Sequence, residues 1–258
     1  HCTTPSCSPA PSRLTPGRFV ASGGRLERPA VRLKRLVLLL APVVSGAAIM
    51  GLELVGLRLL APRFGASIYV WGGLLGAIMA ALALGYLAGG ALADRRPRPR
   101  WVFGLLLAAA AWVAADLLMA GVVLDGAERL GATLGPIVAT AVLLGPPMIA
   151  LGSVSPFVVK LEGQLSSLGV TAGRVFALST AGSLAGTFVT AFWWVPDYGC
   201  RSTLRILLAA LVALGIAGLA WPAARPSPSP WRAFPSWSPT RRSSPGASSP
   251  GSRPTTPS

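Results

Sequence analysis

From residue 36 to residue 221 the chain alternates long apolar runs with short breaks that hold most of the charged residues in that stretch. The runs fall at residues 36–60, 68–93, 101–124, 135–159, 175–195 and 204–221. Each has about 20 residues, enough to cross ~30 Å of hydrocarbon at ~1.5 Å per residue. The breaks carry turn chemistry: Pro62-Arg63-Phe64-Gly65, Arg96-Pro97-Arg98-Pro99, Asp125-Gly126 and Pro196-Asp197-Tyr198-Gly199. Residues 160–173 are polar enough for a short interfacial segment. The pattern predicts an all-α integral membrane protein with six transmembrane helices in a domain over residues 31–222.

Basic residues set the orientation. Arg25, Arg28, Arg32, Lys34 and Arg35 precede the first run, Arg95, Arg96, Arg98 and Arg100 follow the second, Lys160 and Arg174 follow the fourth, and Arg225 and Arg232 follow the sixth. The other side carries Arg63, Arg129, Arg201 and Arg205. Basic loops stay on the cytoplasmic face, so both termini are expected there, in a bacterial plasma (inner) membrane.

Composition changes the picture only at the ends. Hydrophobic residues are 52% and charged residues 12%, with mean hydropathy +0.61, outside the range of soluble domains. The net charge of +15 is therefore assigned to topology and anionic headgroups of the lipid bilayer, and nucleic acid is not expected as a partner. Residues 1–30 and 223–258 are rich in Ser, Pro and Arg without apolar periodicity and are expected to be disordered. The chain begins with His, so it reads as a fragment or an over-extended frame. No cysteine or histidine spacing suggests a metal site, and no cofactor is expected.

Ionisable residues inside apolar runs are the functional candidates, because a charge at mid-bilayer costs at least ~2.5 kcal/mol. Here they are Glu53, Asp116 and Arg58. Glu53 and Asp116 lie at similar depth in two runs of the same direction, which permits one shared cavity for a cation or a proton. Arg58 is five positions from Glu53, roughly 140° around a helix, so the two do not face each other. The competing reading is structural, with both acids bonded to hydroxyls of neighbouring helices. Small residues give a packing pattern: Gly72 and Gly76 on one face of the second run, Gly85 and Gly89 on another, and Gly182 and Gly186 in the fifth. Ser179, Ser183, Thr187 and Thr190 share a face of the fifth run, where bonding to their own helix backbone is the commoner role.

The stretch Gly90-Ala91-Leu92-Ala93-Asp94-Arg95-Arg96-Pro97-Arg98 resembles the Gly-x-x-x-Asp-Arg-x-Gly-Arg signature of major-facilitator transporters. Gly90, Asp94, Arg95 and Arg98 match it, and Pro97 stands where Gly is expected. The resemblance implies a cytoplasmic gating motif. Asp94 at a helix C-terminus needs a positive partner, most simply a neighbouring Arg. Residues 45–71, the Gly145-Pro146-Pro147 and Ser155-Pro156 steps, and residues 173–187 with Val195-Pro196 and Gly199 are similar to the membrane half of membrane-bound spermidine synthase-like proteins. That similarity covers residues 36–221. It implies a half-major-facilitator-like bundle that anchors an aminopropyltransferase and moves a polyamine or related organic cation. Nothing after Trp221 resembles a strand, Gly-rich turn and helix, so no catalytic residue carries over. The alternative is a stand-alone half-size transporter acting as a homo-oligomer, a dimer of two copies.

Overall fold

The structure, a computed structural model, describes residues 29–163 and 167–220, with side chains from Arg35 onward. The two expected disordered tails, and the flanking Arg25, Arg28, Arg32, Lys34, Arg225 and Arg232, lie outside those residues or side chains. Every element among the described residues is helical: α1 (Pro29–Phe64), α2 (Ile68–Arg95), α3 (Pro99–Glu128), α4 (Gly131–Leu143), α5 (Gly145–Gly152), α6 (Val154–Gly163), α7 (Leu168–Val189), a π-helical segment (Thr190–Tyr198) and α8 (Gly199–Ala220).

Four helical stretches are long and apolar enough to cross a membrane, or five if the bent α4 and α5–α6 pair counts as one. One of the four is the continuous stretch Leu168–Ala220. Large apolar side chains stand exposed on the outside, including Ile68, Leu87, Leu118, Val122 and Phe192. Such a surface has no place in water and fits lipid. The protein is membrane-embedded.

Proline and glycine explain the local breaks. Pro146 has no N–H for the carbonyl of Val142. That carbonyl instead accepts from Trp112 Nε1 at 3.3 Å, across to α3. The chain bends by 50° between α4 and the α5–α6 pair. Pro196 likewise offers no donor to Phe192, which favours the one-residue ladder shift seen in the π-helical segment. Gly199 then takes φ 76°, a left-handed conformation open to glycine, and α8 departs.

The glycines show how helices are paired. A Cβ on Gly182 would collide with the backbone of Val43, and one on Gly186 would lie 2.5 Å from the backbone of Ala47. Positions rise together on both helices, so α1 and α7 run parallel with backbones in contact. Gly85 and Gly89 meet Ile149 and Ser153 in the same way, and Ser153 Oγ donates to Gly85 O at 2.8 Å. The α4–α6 run is thus parallel to α2. Gly218 meets Phe103, whereas Leu204 shares a cavity wall with Asp116, so α8 is antiparallel to α3. The core between these helices is dry and aliphatic, with Leu52, Leu106, Met148, Leu151, Phe157 and Leu211 fully buried.

Candidate functional site

Asp116 sits on the inward face of α3, in register with Ala109 and Val113, and is only 4% exposed. Neither of its carboxylate oxygens has a protein hydrogen-bond partner. An unpaired buried carboxylate is costly, and such groups normally find a partner. Asp116 is one of the residues around a cavity of about 280 Å³ bounded by α1, α3, α4 and α8, with its two oxygens buried behind the wall. Its wall is otherwise aliphatic, with Val55, Leu117, Leu143 and Leu204 prominent. Two guanidinium groups complete it, Arg63 from the last turn of α1 and Arg201 from the first turn of α8.

Those two arginines differ in what holds them. Arg63 Nη1 donates to Asp125 and, at 3.0 Å, to Glu128, so its charge is already matched by the end of α3. Arg201 is exposed and makes no ion pair among the described residues. One unpaired acid and one unpaired base therefore share a single small cavity.

No known protein family, curated protein or solved structure matches the chain.

The three intramembrane candidates are not brought together in this cavity. Glu53 is half-buried with Oε2 unbonded, and it is not part of the Asp116 wall. Arg58 is exposed on the outer surface of α1 and also absent from the wall. Similar depth permits a cavity shared by Glu53 and Asp116; the wall that holds Asp116 includes Arg63 and Arg201 and not Glu53. Neither arginine was legible as a site residue, because both lie in breaks where basic residues read as topology signals.

Asp94 is paired, but with a different partner from the neighbouring Arg expected. Lys160 Nζ on α6 stands 2.7 Å from Asp94 Oδ1. Arg96 instead lies over the ring of Trp101, 5.5 Å from its centroid. Gly90 has open space at its Cβ position. Arg95 and Arg98 are exposed and make no ion pair among the described residues. The small-residue faces separate: Gly85, Gly89, Gly182 and Gly186 are in backbone contact with neighbours, whereas Gly72 and Gly76 meet nothing within 4 Å. Along α7, Thr187 Oγ1 donates to Ser183 O at 2.8 Å, bonding its own helix.

A second cavity of about 480 Å³ lies at the opposite end, among α1, α6 and α7. It is lined by Arg35, Glu162, Thr171 and Arg174 amid apolar neighbours. Arg35 Nε donates to Glu162 Oε2 at 3.0 Å, which satisfies an acid only 4% exposed. Among the described residues no three His, Cys, Asp or Glu side chains group as metal donors.

Proposed function

We propose that this chain is a membrane module that binds a small organic amine at Asp116, the reading expected of the membrane half of a spermidine synthase-like protein. The carrying observation is the unpartnered Asp116 carboxylate in the wall of an otherwise aliphatic cavity. An ammonium group supplies what that carboxylate lacks, a charged donor in a site of low dielectric.

Six crossings in a half-facilitator-like bundle are part of this proposal. The stretch Leu168–Ala220 has 53 residues, roughly 80 Å if straight, far more than one crossing needs. Its two halves pack in opposite senses, α7 parallel to α1 and α8 antiparallel to α3, which supports two crossings. Counting α4–α6 as one broken crossing then makes six. The end of the bundle with Arg35, Arg95, Arg96, Arg98, Arg100, Lys160 and Arg174 is assigned to the cytoplasm of a bacterial cell. The Asp116 cavity consequently lies towards the outer face. In this reading the module anchors an aminopropyltransferase domain in the membrane.

The test is thermal unfolding of the purified chain in lipid nanodiscs with and without butylamine. Saturable stabilisation is expected for the wild type, about 2.7 kcal/mol at a ligand concentration 100 times Kd, and none for Asp116→Asn. An equal response of both proteins would overturn the reading.

A stand-alone transporter of two copies is the second reading. It is favoured by the uncovered Gly72 and Gly76 on α2, which would let another helix approach closely. Native mass spectrometry of the chain released from nanodiscs decides it: a monomer that still responds to amine speaks for the module.

A further inference from the structure

We propose that the Asp116 cavity selects a zwitterion, an amine with a carboxylate at its far end, over a diamine. This rests on the reading that Asp116 takes an ammonium. The cavity presents two unpaired charges of opposite sign, Asp116 within the wall on α3 and Arg201 on the first turn of α8. Arg201 and Leu204 are three residues apart on one helix face, and both belong to the wall. Arg201 therefore belongs to the same wall as Asp116.

A diamine fits this charge pattern poorly. Its first ammonium pairs with Asp116, but its second, confined to about 280 Å³, meets Arg63 and Arg201. Like charges so placed repel one another. Asp125 and Glu128 already match the charge of Arg63, so the repulsion comes chiefly from Arg201. A simple monoamine satisfies Asp116 and leaves Arg201 unmatched. A short ω-amino acid matches both, with its methylenes against Val55, Leu117 and Leu204. Arginine also offers a carboxylate the two-pronged donor geometry that lysine lacks.

The experiment uses the full chain in nanodiscs and isothermal titration with four probes of equal chain length: butylamine, putrescine, butyrate and γ-aminobutyrate. The wild type should bind γ-aminobutyrate roughly tenfold more tightly than putrescine. Arg201→Glu should reverse that order, and should tighten butylamine as well, since its ammonium also feels the charge at position 201. Saturable butylamine binding by the variant also shows that it is folded. Arg201→Gln, a neutral replacement, should bring the two ligands to similar affinity. Putrescine binding as tightly as γ-aminobutyrate in the wild type, or an order unchanged in Arg201→Glu, overturns the zwitterion proposal while leaving amine binding at Asp116 intact. Absence of binding by all amines overturns both. Butyrate binding as tightly as γ-aminobutyrate would mean that the site takes anions at Arg201 without Asp116, and would overturn the proposal too.

Discussion

Lys160 Nζ on α6 lies 2.7 Å from Asp94 Oδ1 at the end of α2. Two residues on, Glu162 accepts from Arg35 of α1. One short helix, α6, is thereby fastened to two others by opposite charges. The two contacts differ in surroundings, and that difference decides what each contributes.

The Asp94–Lys160 pair is open to solvent, with side-chain exposures of 66% and 48%. Exposed pairs contribute about 0–1 kcal/mol. Asp94→Asn is therefore expected to leave the unfolding temperature in detergent nearly unchanged, and raising the salt concentration should shrink the remaining difference. A large loss that persists at high salt would show that Asp94 does something other than pair with Lys160.

Glu162 is buried and relies on Arg35. Arg35→Met strands the carboxylate, which should lower stability by roughly 1–3 kcal/mol. The double variant Arg35→Met with Glu162→Gln should recover most of that loss, because no charge is left unmatched. Denaturant titration of the wild type, both single variants and the double variant measures the coupling, and additive losses would contradict it.

Close helix contacts make a sharper prediction. Gly182→Ala and Gly186→Ala drive a methyl group into the backbone of α1 and should each destabilise the bundle by more than about 1–3 kcal/mol. Gly72→Ala and Gly76→Ala meet nothing within 4 Å and should be neutral or stabilising by about 0.5–1 kcal/mol. Thermal unfolding of the four variants is enough to rank them.

Glu53→Gln should leave the amine response of the protein intact, since Glu53 is outside the Asp116 wall. Its own effect on stability should be neutral or favourable, because a neutral amide is cheaper to bury than a carboxylate without a partner. Loss of the response in Glu53→Gln would place Glu53 in the site after all.

Cysteine substitution at Ser67 and at Gly126 should give sites labelled from outside intact cells, and substitution at Arg98 a site labelled only after permeabilisation. The reverse pattern would invert the proposed orientation.

What could be read from the chain followed physical range. Apolar runs and their Pro/Gly breaks are local, and they anticipate α1, α2, α3 and the turn before α8 closely. The division of the fourth run into α4, α5 and α6 was written in Gly145-Pro146-Pro147 and Ser155-Pro156, but a proline shows that a helix is disturbed, not by how much. Partners were harder. Asp94 required a cation, and spacing pointed to the next arginines, yet Lys160 reaches it from 66 positions away because α6 lies along α2. Asp116 stood out as a charge in an apolar run. Its cavity mates did not, since the depth of Arg63 and Arg201 depends on how α1 and α8 cross α3.

The bend after α4 has a consequence for that cavity. Leu143 and Leu144 stand at the 50° joint and both face the Asp116 space. Beyond the joint, Ile149 and Ser153 are keyed onto Gly85 and Gly89 of α2. On the other side of the joint α4 is held as well, with Ile137 close against Gly73 of α2 and Gly135 against Phe64 of α1. The bend is thus clamped on both sides, and the two leucines at it serve as a fixed stretch of chamber wall, not as a gate.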